Sequence, residues 1–135
     1  MDAHGIPLSL VVSGANVNDH QRLPDVLRAP RVRRPRPRPG ARQHLCADKG
    51  YDYPATRAAG TARGYIVHIP HRGAPPAPRR SPRKRARRWV VEACHSWLNR
   101  FRKILVRFEK KVANYDGLLA FACAIICWRR AGVLG

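Results

Sequence analysis

The sequence predicts an α/β fold with a helical C-terminal part. Two short apolar runs, 43–47 and 65–69, are each followed by a Gly or Pro signal and predict strands, while the alanine-rich stretch 54–63 predicts a helix that ends at Gly64. A strand, a helix and a second strand in this order indicate a parallel crossover unit, because a tight turn cannot join parallel strands. From residue 85 onward, apolar residues recur at spacings of three and four, which is the period of a helix.

The composition indicates one folded domain with a polyanionic partner. The chain has 135 residues, 44% of them apolar, which is enough for a single core spanning 1–135. Its 27 Lys and Arg against 8 Asp and Glu give a formal net charge of +19. This charge favours binding to nucleic acid, because each basic group that meets a phosphate releases a condensed counterion.

The N-terminal third predicts a turn, a strand, a helix and a loop. Met1–Gly5 looks like a hairpin turn, and the Leu- and Val-rich run 6–13 predicts a buried strand. Asp19 is expected to cap a short helix over 20–28, which Pro30 stops. Residues 28–42 contain seven Arg and four Pro with almost nothing apolar, so this segment is expected to be an extended loop. Two interpretations of this segment stay open: a solvated linker, and an arm that binds the phosphates of a nucleic acid.

The remaining sequence predicts a second basic loop and two helices. Residues 71–84 are again rich in Pro and Arg, and 85–131 is the helical part. One helix is expected over 85–108, and Gly117 separates it from a second helix over 118–131, which is apolar nearly all round and hence deeply packed. The predicted buried stripe of the first helix comprises Trp89, Ala93, Trp97, Leu98, Phe101, Ile104, Leu105 and Phe108.

Several other patterns favour structural roles. The apolar stretch 118–128 is shorter than the about 20 residues that cross a bilayer, so it predicts a core helix and no membrane partner. Trp89, Trp97 and Trp128 lie at helical spacing and are expected in the core. The four cysteines lack paired spacing, which favours buried free thiols in a reducing cytoplasm over zinc or disulfides. The histidines show no ligand spacing and are assigned no role.

Two carboxylates, Asp48 and Glu92, are the candidate catalytic and metal-binding residues. Asp48 follows the strand at 43–47, where open α/β sheets place functional groups, and Glu92 lies in the helix over 85–108. Carboxylates on a strand end and a neighbouring helix can hold the divalent ions that phosphoryl transfer uses, since Mg²⁺ prefers oxygen ligands. The alternative is structural, with Asp48 capping a local turn and Glu92 paired with Arg88 one helical turn back.

The order of the motifs adds a family resemblance. Four blocks, 14–19, 47–52, 88–101 and 122–130, resemble the successive blocks of bacterial insertion-sequence DDE transposases of the fifth numbered family. The resemblance implies a ribonuclease H-like catalytic core that cuts and rejoins DNA with Mg²⁺ or Mn²⁺. It matches Asp48 to the second family acid and Glu92 to the third, and it gives Tyr51 a supporting role. The DNA contacts expected with this assignment are Lys49, Arg85, Arg88 and Arg100.

Two departures from the family pattern qualify this expectation. In the family, the first acid lies on a strand upstream of a hairpin, and Asp2 matches only the turn of that hairpin. Directly after Glu92, this chain has Ala93-Cys94 where the family usually has a basic residue and a small hydroxyl residue. We therefore expect an N-terminally truncated copy with impaired activity, containing the C-terminal part of the catalytic domain.

The partners expected with this function are transposon-end and target DNA, together with a homo-oligomer or a complementing upstream transposase fragment. The expected location is the bacterial cytoplasm, in association with the nucleoid. Two alternatives stay open: a non-catalytic basic DNA-binding protein and an inactive transposon remnant.

Overall fold

The computed structural model describes residues 1–30, 35–38, 40–73, 75 and 88–132. The chain forms two compact units, of which unit 1 contains Met1–Leu10 and Ser81–Gly135 and unit 2 contains Val11–Arg80. Most of the predicted 71–84 loop, part of the 28–42 loop and Arg85 lie outside the described residues.

Unit 2 contains the predicted crossover. Its elements are α1 (Asp19–Arg28), β1 (His44–Cys46), a 3-10 turn (Lys49–Tyr51), α2 (Pro54–Thr61) and β2 (Ile66–His68). The two strands pair in parallel, with Leu45 opposite Val67, and α2 joins them. The α/β class and the two predicted strands are therefore confirmed.

The helix α2 packs closely on this sheet because one position has no side chain. Pro54 begins the helix, where its missing N–H costs nothing, and Gly64 ends the following turn with a φ of 74°. Gly60 is buried against the strands. A Cβ atom added there would lie 2.6 Å from Val67 Cγ2 and 2.9 Å from Leu45 Cδ2.

The N-terminal residues differ from their prediction. The turn is confirmed, since Asp2 N–H donates to Ile6 O at 2.9 Å and the Asp2 side chain accepts from the same residue's N–H. The strand predicted over 6–13 is wrong, because these residues have no ladder partner and β1 and β2 form the sheet within the described ranges. The predicted helix is confirmed as α1, but Asn18 occupies the cap position and Asp19 is the first helical residue.

Unit 1 is helical, with boundaries that differ from those predicted. It contains α3 (Arg88–Asn99), α4 (Arg102–Leu105) and α5 (Val112–Arg130). The single helix predicted over 85–108 is wrong, because Phe101 has extended backbone and its carbonyl starts the new turn of α4. Helix α5 begins before the predicted 118 and runs through Gly117, which a helix interior tolerates at a cost of about 1 kcal/mol.

The core of unit 1 lies on one side of α3 and α5. Within the predicted stripe, Leu105 and Phe108 are 59% and 71% exposed. On α5, Phe121 and Trp128 are 65% and 52% exposed, so the predictions of all-round packing and of a core Trp128 are wrong. Trp97 is half-buried, and the Trp89 side chain lies outside the described residues. The buried residues of these helices are Val90, Cys94, Leu119, Ala122, Cys123 and Ile126.

The length and composition of α5 would allow it to cross a membrane. A core helix of a globular protein passes the same test, and four residues of α5 are buried in unit 1. One such helix is therefore weak evidence for a membrane span.

The cysteines are free, as predicted, but they are not all buried. Cys94 and Cys123 are buried, Cys127 is half-buried and Cys46 is exposed on β1. Burial raises the pKa of the Cys123 thiol to about 11 and also raises the pKa of Cys94. The two buried thiols are therefore protonated, as expected of structural cysteines.

Two glycine substitutions are expected to change stability in opposite directions. Gly60→Ala should lower the free energy of unfolding by about 1–3 kcal/mol, because the new methyl group overlaps the stiff Val67 side chain. Gly117→Ala should raise it by about 0.5–1 kcal/mol, because nothing lies within 4 Å of the added atom and alanine is the better helix former. Urea unfolding followed by circular dichroism measures both changes. A Gly60→Ala variant as stable as wild type would contradict the close packing of α2, and a Gly117→Ala variant less stable than wild type would contradict the open surroundings of Gly117.

Candidate active site

Asp48 lies directly beyond the carboxyl end of β1. The N–H of Ala47 still donates to His68 O at 3.1 Å, and the chain then enters the 3-10 turn, which Asp48 caps. Asp48 Oδ1 accepts the Gly50 N–H at 2.7 Å, and Asp48 O accepts the Tyr51 N–H at 3.1 Å. The predicted turn-capping role is confirmed. The second carboxylate oxygen, Oδ2, makes no hydrogen bond to any described residue, so it is available to a ligand.

Asp52, at the end of the same turn, joins the two strand ends. Its Oδ1 accepts from Arg57 Nε at 3.0 Å and from Arg57 Nη2 at 2.6 Å, and its Oδ2 accepts the Arg72 N–H at 2.8 Å. Arg57 Nη2 also donates to Ile69 O at 2.7 Å, just beyond β2. The residues that follow β1 and those that follow β2 are therefore held together by one carboxylate and one guanidinium.

The ion pair shifts the titration of Asp52. The Arg57 hydrogen bonds, followed by the Arg72 N–H, hold the pKa of the Asp52 carboxyl below its ordinary value. Its side chain is 14% exposed, so solvent screens this pair less than a fully exposed one.

A cavity of about 300 Å³ opens beside the Asp48 turn. Tyr51, which the resemblance gives a supporting role, lines it together with Asp48. The pKa of the Tyr51 hydroxyl is raised, first by burial and then by the negative charges of Asp19 and Asp48, so this phenol stays protonated at neutral pH. The residues that line the Asp48 cavity are Asn18, Asp19, His20, Asp48, Gly50, Tyr51, Tyr53 and Arg72.

Sequence reasoning missed six of these eight residues as parts of a site, among them Asp19, His20, Tyr53 and Arg72. Asp19 was expected only as a helix cap, although it ends the first family block. The ring of His20 stacks on Tyr53 with centroids 3.8 Å apart, and the Arg72 guanidinium lies 4.3 Å from the Tyr53 centroid. Arg72 could have been anticipated from its position just beyond β2, because the carboxyl ends of parallel strands meet at one edge of a sheet.

Glu92 lies on the exposed side of α3, in unit 1. Val90 and Cys94 are both buried, and the residue between them faces the opposite side of a helix with 3.6 residues per turn. Within the described part of the chain, Glu92 makes no hydrogen bond or ion pair. The alternative pairing with Arg88 involves a side chain outside the described residues, so it stays a prediction.

Two of the predicted DNA contacts, Lys49 and Arg100, are exposed. Lys49 begins the 3-10 turn beside Asp48, and Arg100 lies in the break between α3 and α4. Arg88 is the first residue of α3, while Arg85 lies outside the described residues. In the ranges that the structure describes, no three His, Cys, Asp or Glu are grouped so that they could hold a metal ion.

The comparison with known proteins identifies the family. Residues 45–129, from β1 to the last turn of α5, match the family described as the transposase DDE domain. The chain therefore belongs to the DDE transposases. It is 38% identical, over 132 residues, to the Burkholderia cepacia protein named "Putative transposase for insertion sequence element IS402". This similarity places the chain among the transposases of bacterial insertion sequences.

That alignment covers 94% of this chain and 59% of the relative, so the chain spans about three fifths of the relative's length. No solved structure matches the chain.

The Asp52 pair predicts a pH-dependent stability. Because the folded pKa of Asp52 is lowered, its contribution is fully present above the ordinary value of 3.8 and is lost as the pH falls through the folded pKa. Asp52→Asn should therefore unfold at lower urea concentration than wild type at neutral pH, and the difference should shrink below about pH 4. Asp116→Asn is the control, since that carboxylate makes no bond in the described part of the chain. A gap between wild type and Asp52→Asn that widened on acidification would contradict the assignment.

Proposed function

We propose that this chain contributes to DNA transposition as part of the catalytic domain of an insertion-sequence transposase, cutting DNA and joining strands with Mg²⁺ or Mn²⁺. Membership of the DDE family supports the reaction class. The observation that carries the proposal is Asp48, which lies beyond the end of β1, inside the matched region, with one oxygen uncommitted. The proposed fold of the complete domain is ribonuclease H-like.

The donor chemistry of the proposed metal ligands suits a hard divalent cation. Asp48 and Glu92 are exposed carboxylates with oxygens that no described residue uses, and Mg²⁺ takes oxygen ligands while keeping several waters. When bound, such ions activate the attacking oxygen and stabilise the leaving oxygen of the phosphate ester. We assign Asp48 and Glu92 to hold them, as the second and third acids of the family pattern.

The chain's own residues would orient the acid and the DNA. The Gly50 N–H fixes one oxygen of Asp48, which leaves the other to a ligand, and Tyr51 supports that wall of the Asp48 cavity as a neutral phenol. Lys49, Arg85, Arg88 and Arg100 are assigned to phosphates, because basic side chains exchange condensed counterions for direct contacts. The net charge of +19 provides the general attraction to DNA on which these contacts build.

The complete reaction requires more than these two acids. The family resemblance places the first acid on a strand upstream of the matched blocks, so we propose that an upstream segment or a complementing transposase fragment supplies it. Without that acid, the activity would be impaired. DNA ends and target are the proposed partners, together with a homo-oligomer, and the bacterial cytoplasm, near the nucleoid, is the proposed location.

Two other functions fit part of the same observations. The charge of +19 alone would suit a basic DNA-binding protein without catalysis, in which Asp48 only caps its turn. An inactive transposon remnant would have the same motifs without a selected activity. The DNA upstream of the gene separates the remnant from a split transposase, because a split gene encodes the first acid in a neighbouring frame.

Replacing the two acids by amides tests the catalytic proposal. Asp48→Asn and Glu92→Gln should each weaken Mn²⁺ binding, measured by titration calorimetry, and lower Mg²⁺-dependent cleavage of transposon-end DNA by about 100-fold or more, since groups that act as a unit fail together. DNA affinity at fixed salt should change less than about twofold, because the basic contacts are intact.

The control is Asp116→Asn, which makes the same change of charge on α5 and should leave metal binding and cleavage unchanged. Metal affinity that is equal in wild type and in both amide variants would refute the catalytic proposal and favour the binding protein. Cleavage assays should add the polypeptide encoded directly upstream of this chain, which is the proposed source of the first acid.

A further inference from the structure

The turn that carries Asp48 is held by a side chain from beyond β2. Arg72 Nε donates to Lys49 O at 3.2 Å, and Arg72 Nη2 donates to Gly50 O at 3.1 Å. One guanidinium therefore binds two consecutive carbonyls of the turn. The planar fork of arginine fits such a pair, whereas a lysine ammonium is a single point of charge.

Arg72 is itself braced from two further directions. Its backbone N–H donates to Asp52 Oδ2 at 2.8 Å, and its guanidinium lies 4.3 Å from the centroid of the Tyr53 ring. Asp52 is in turn held by the two hydrogen bonds from Arg57. A side chain restrained at both its backbone and its tip has few other rotamers available.

We infer that Arg72 is a positioning residue that sets the direction of the Asp48 carboxylate. The connection is short, because Arg72 Nε holds the carbonyl of Lys49, which belongs to the same peptide group as the Gly50 N–H, and that N–H donates to Asp48 Oδ1 at 2.7 Å. Arg72 thereby fixes the turn from the end of β2 and leaves Asp48 Oδ2 for a divalent ion. The inference rests on the proposed metal-binding role of Asp48 and adds a residue that the family blocks do not include.

Hydrogen exchange in the complete 135-residue chain measures the positioning directly. In Arg72→Gln, the amides of Gly50 and Tyr51 should exchange at least about 10-fold faster, because the turn loses its clamp. The Ala62 amide, which donates to Ala58 O at the C-terminal end of α2, should keep its protection and show that unit 2 is folded. Mn²⁺ affinity should fall by roughly 10- to 100-fold, the usual loss when a residue that orients a metal ligand is removed.

Two further variants complete the design. Arg72→Lys retains the charge and should lie between wild type and Arg72→Gln in both measurements, and it provides the test if Arg72→Gln unfolds. Arg28→Gln removes the same charge from α1, where the guanidinium contacts Asp25, and should change neither measurement.

The outcomes separate this inference from the function on which it rests. Unchanged exchange at Gly50 and Tyr51 in both Arg72 variants would overturn the positioning role, whatever the metal affinity. Faster exchange in the Arg72 variants, combined with wild-type Mn²⁺ affinity in Asp48→Asn, would support the clamp on the turn and refute the metal role of Asp48.

Discussion

The parallel pairing of β1 and β2 is the constraint on which the candidate site depends. Parallel strands end at the same edge of a sheet, so the residues after Cys46 and those after His68 are brought side by side. The Asp52–Arg57 pair and Arg72 then tie these two segments together. The turn that follows β1 thereby lies next to Arg72, although the two are distant in sequence. The hydrogen bonds from Arg72 then restrain the turn that carries Asp48.

The chain has 8 acidic residues, and three of them, Asp2, Asp25 and Asp52, hold local structure. Asp2 closes the N-terminal turn, Asp25 pairs with two arginines of α1, and Asp52 holds Arg57. In a chain of net charge +19, such local pairs also reduce repulsion within the folded state. Asp48 and Glu92 differ from Asp25 and Asp52, because each keeps at least one carboxylate oxygen without a bond to any described residue.

Local signals predicted the elements of unit 2 well, since each strand and helix there is bounded by Gly, Pro or a change of period. The same reasoning failed for 6–13, because strand propensity says nothing about whether a partner strand is available. It also placed Leu105 and Phe108 in the core, since a three-and-four spacing predicts a shared face only while the helix is unbroken. Asp48 was found from its position after a strand, and the position of Arg72 just beyond the second strand is a signal of the same kind. The bonds of Arg72 to the Asp48 turn are tertiary contacts, however, and no local pattern in the sequence indicates them.

The distribution of tryptophan makes the two units distinguishable by fluorescence. All three tryptophans belong to unit 1, which also contains Tyr115, whereas unit 2 has only the tyrosine chromophores Tyr51, Tyr53 and Tyr65. Indole emission excited at the red edge of the absorption band therefore reports on the helical unit alone. Trp128 is 52% exposed, so a quencher dissolved in water can reach its indole ring in the folded protein.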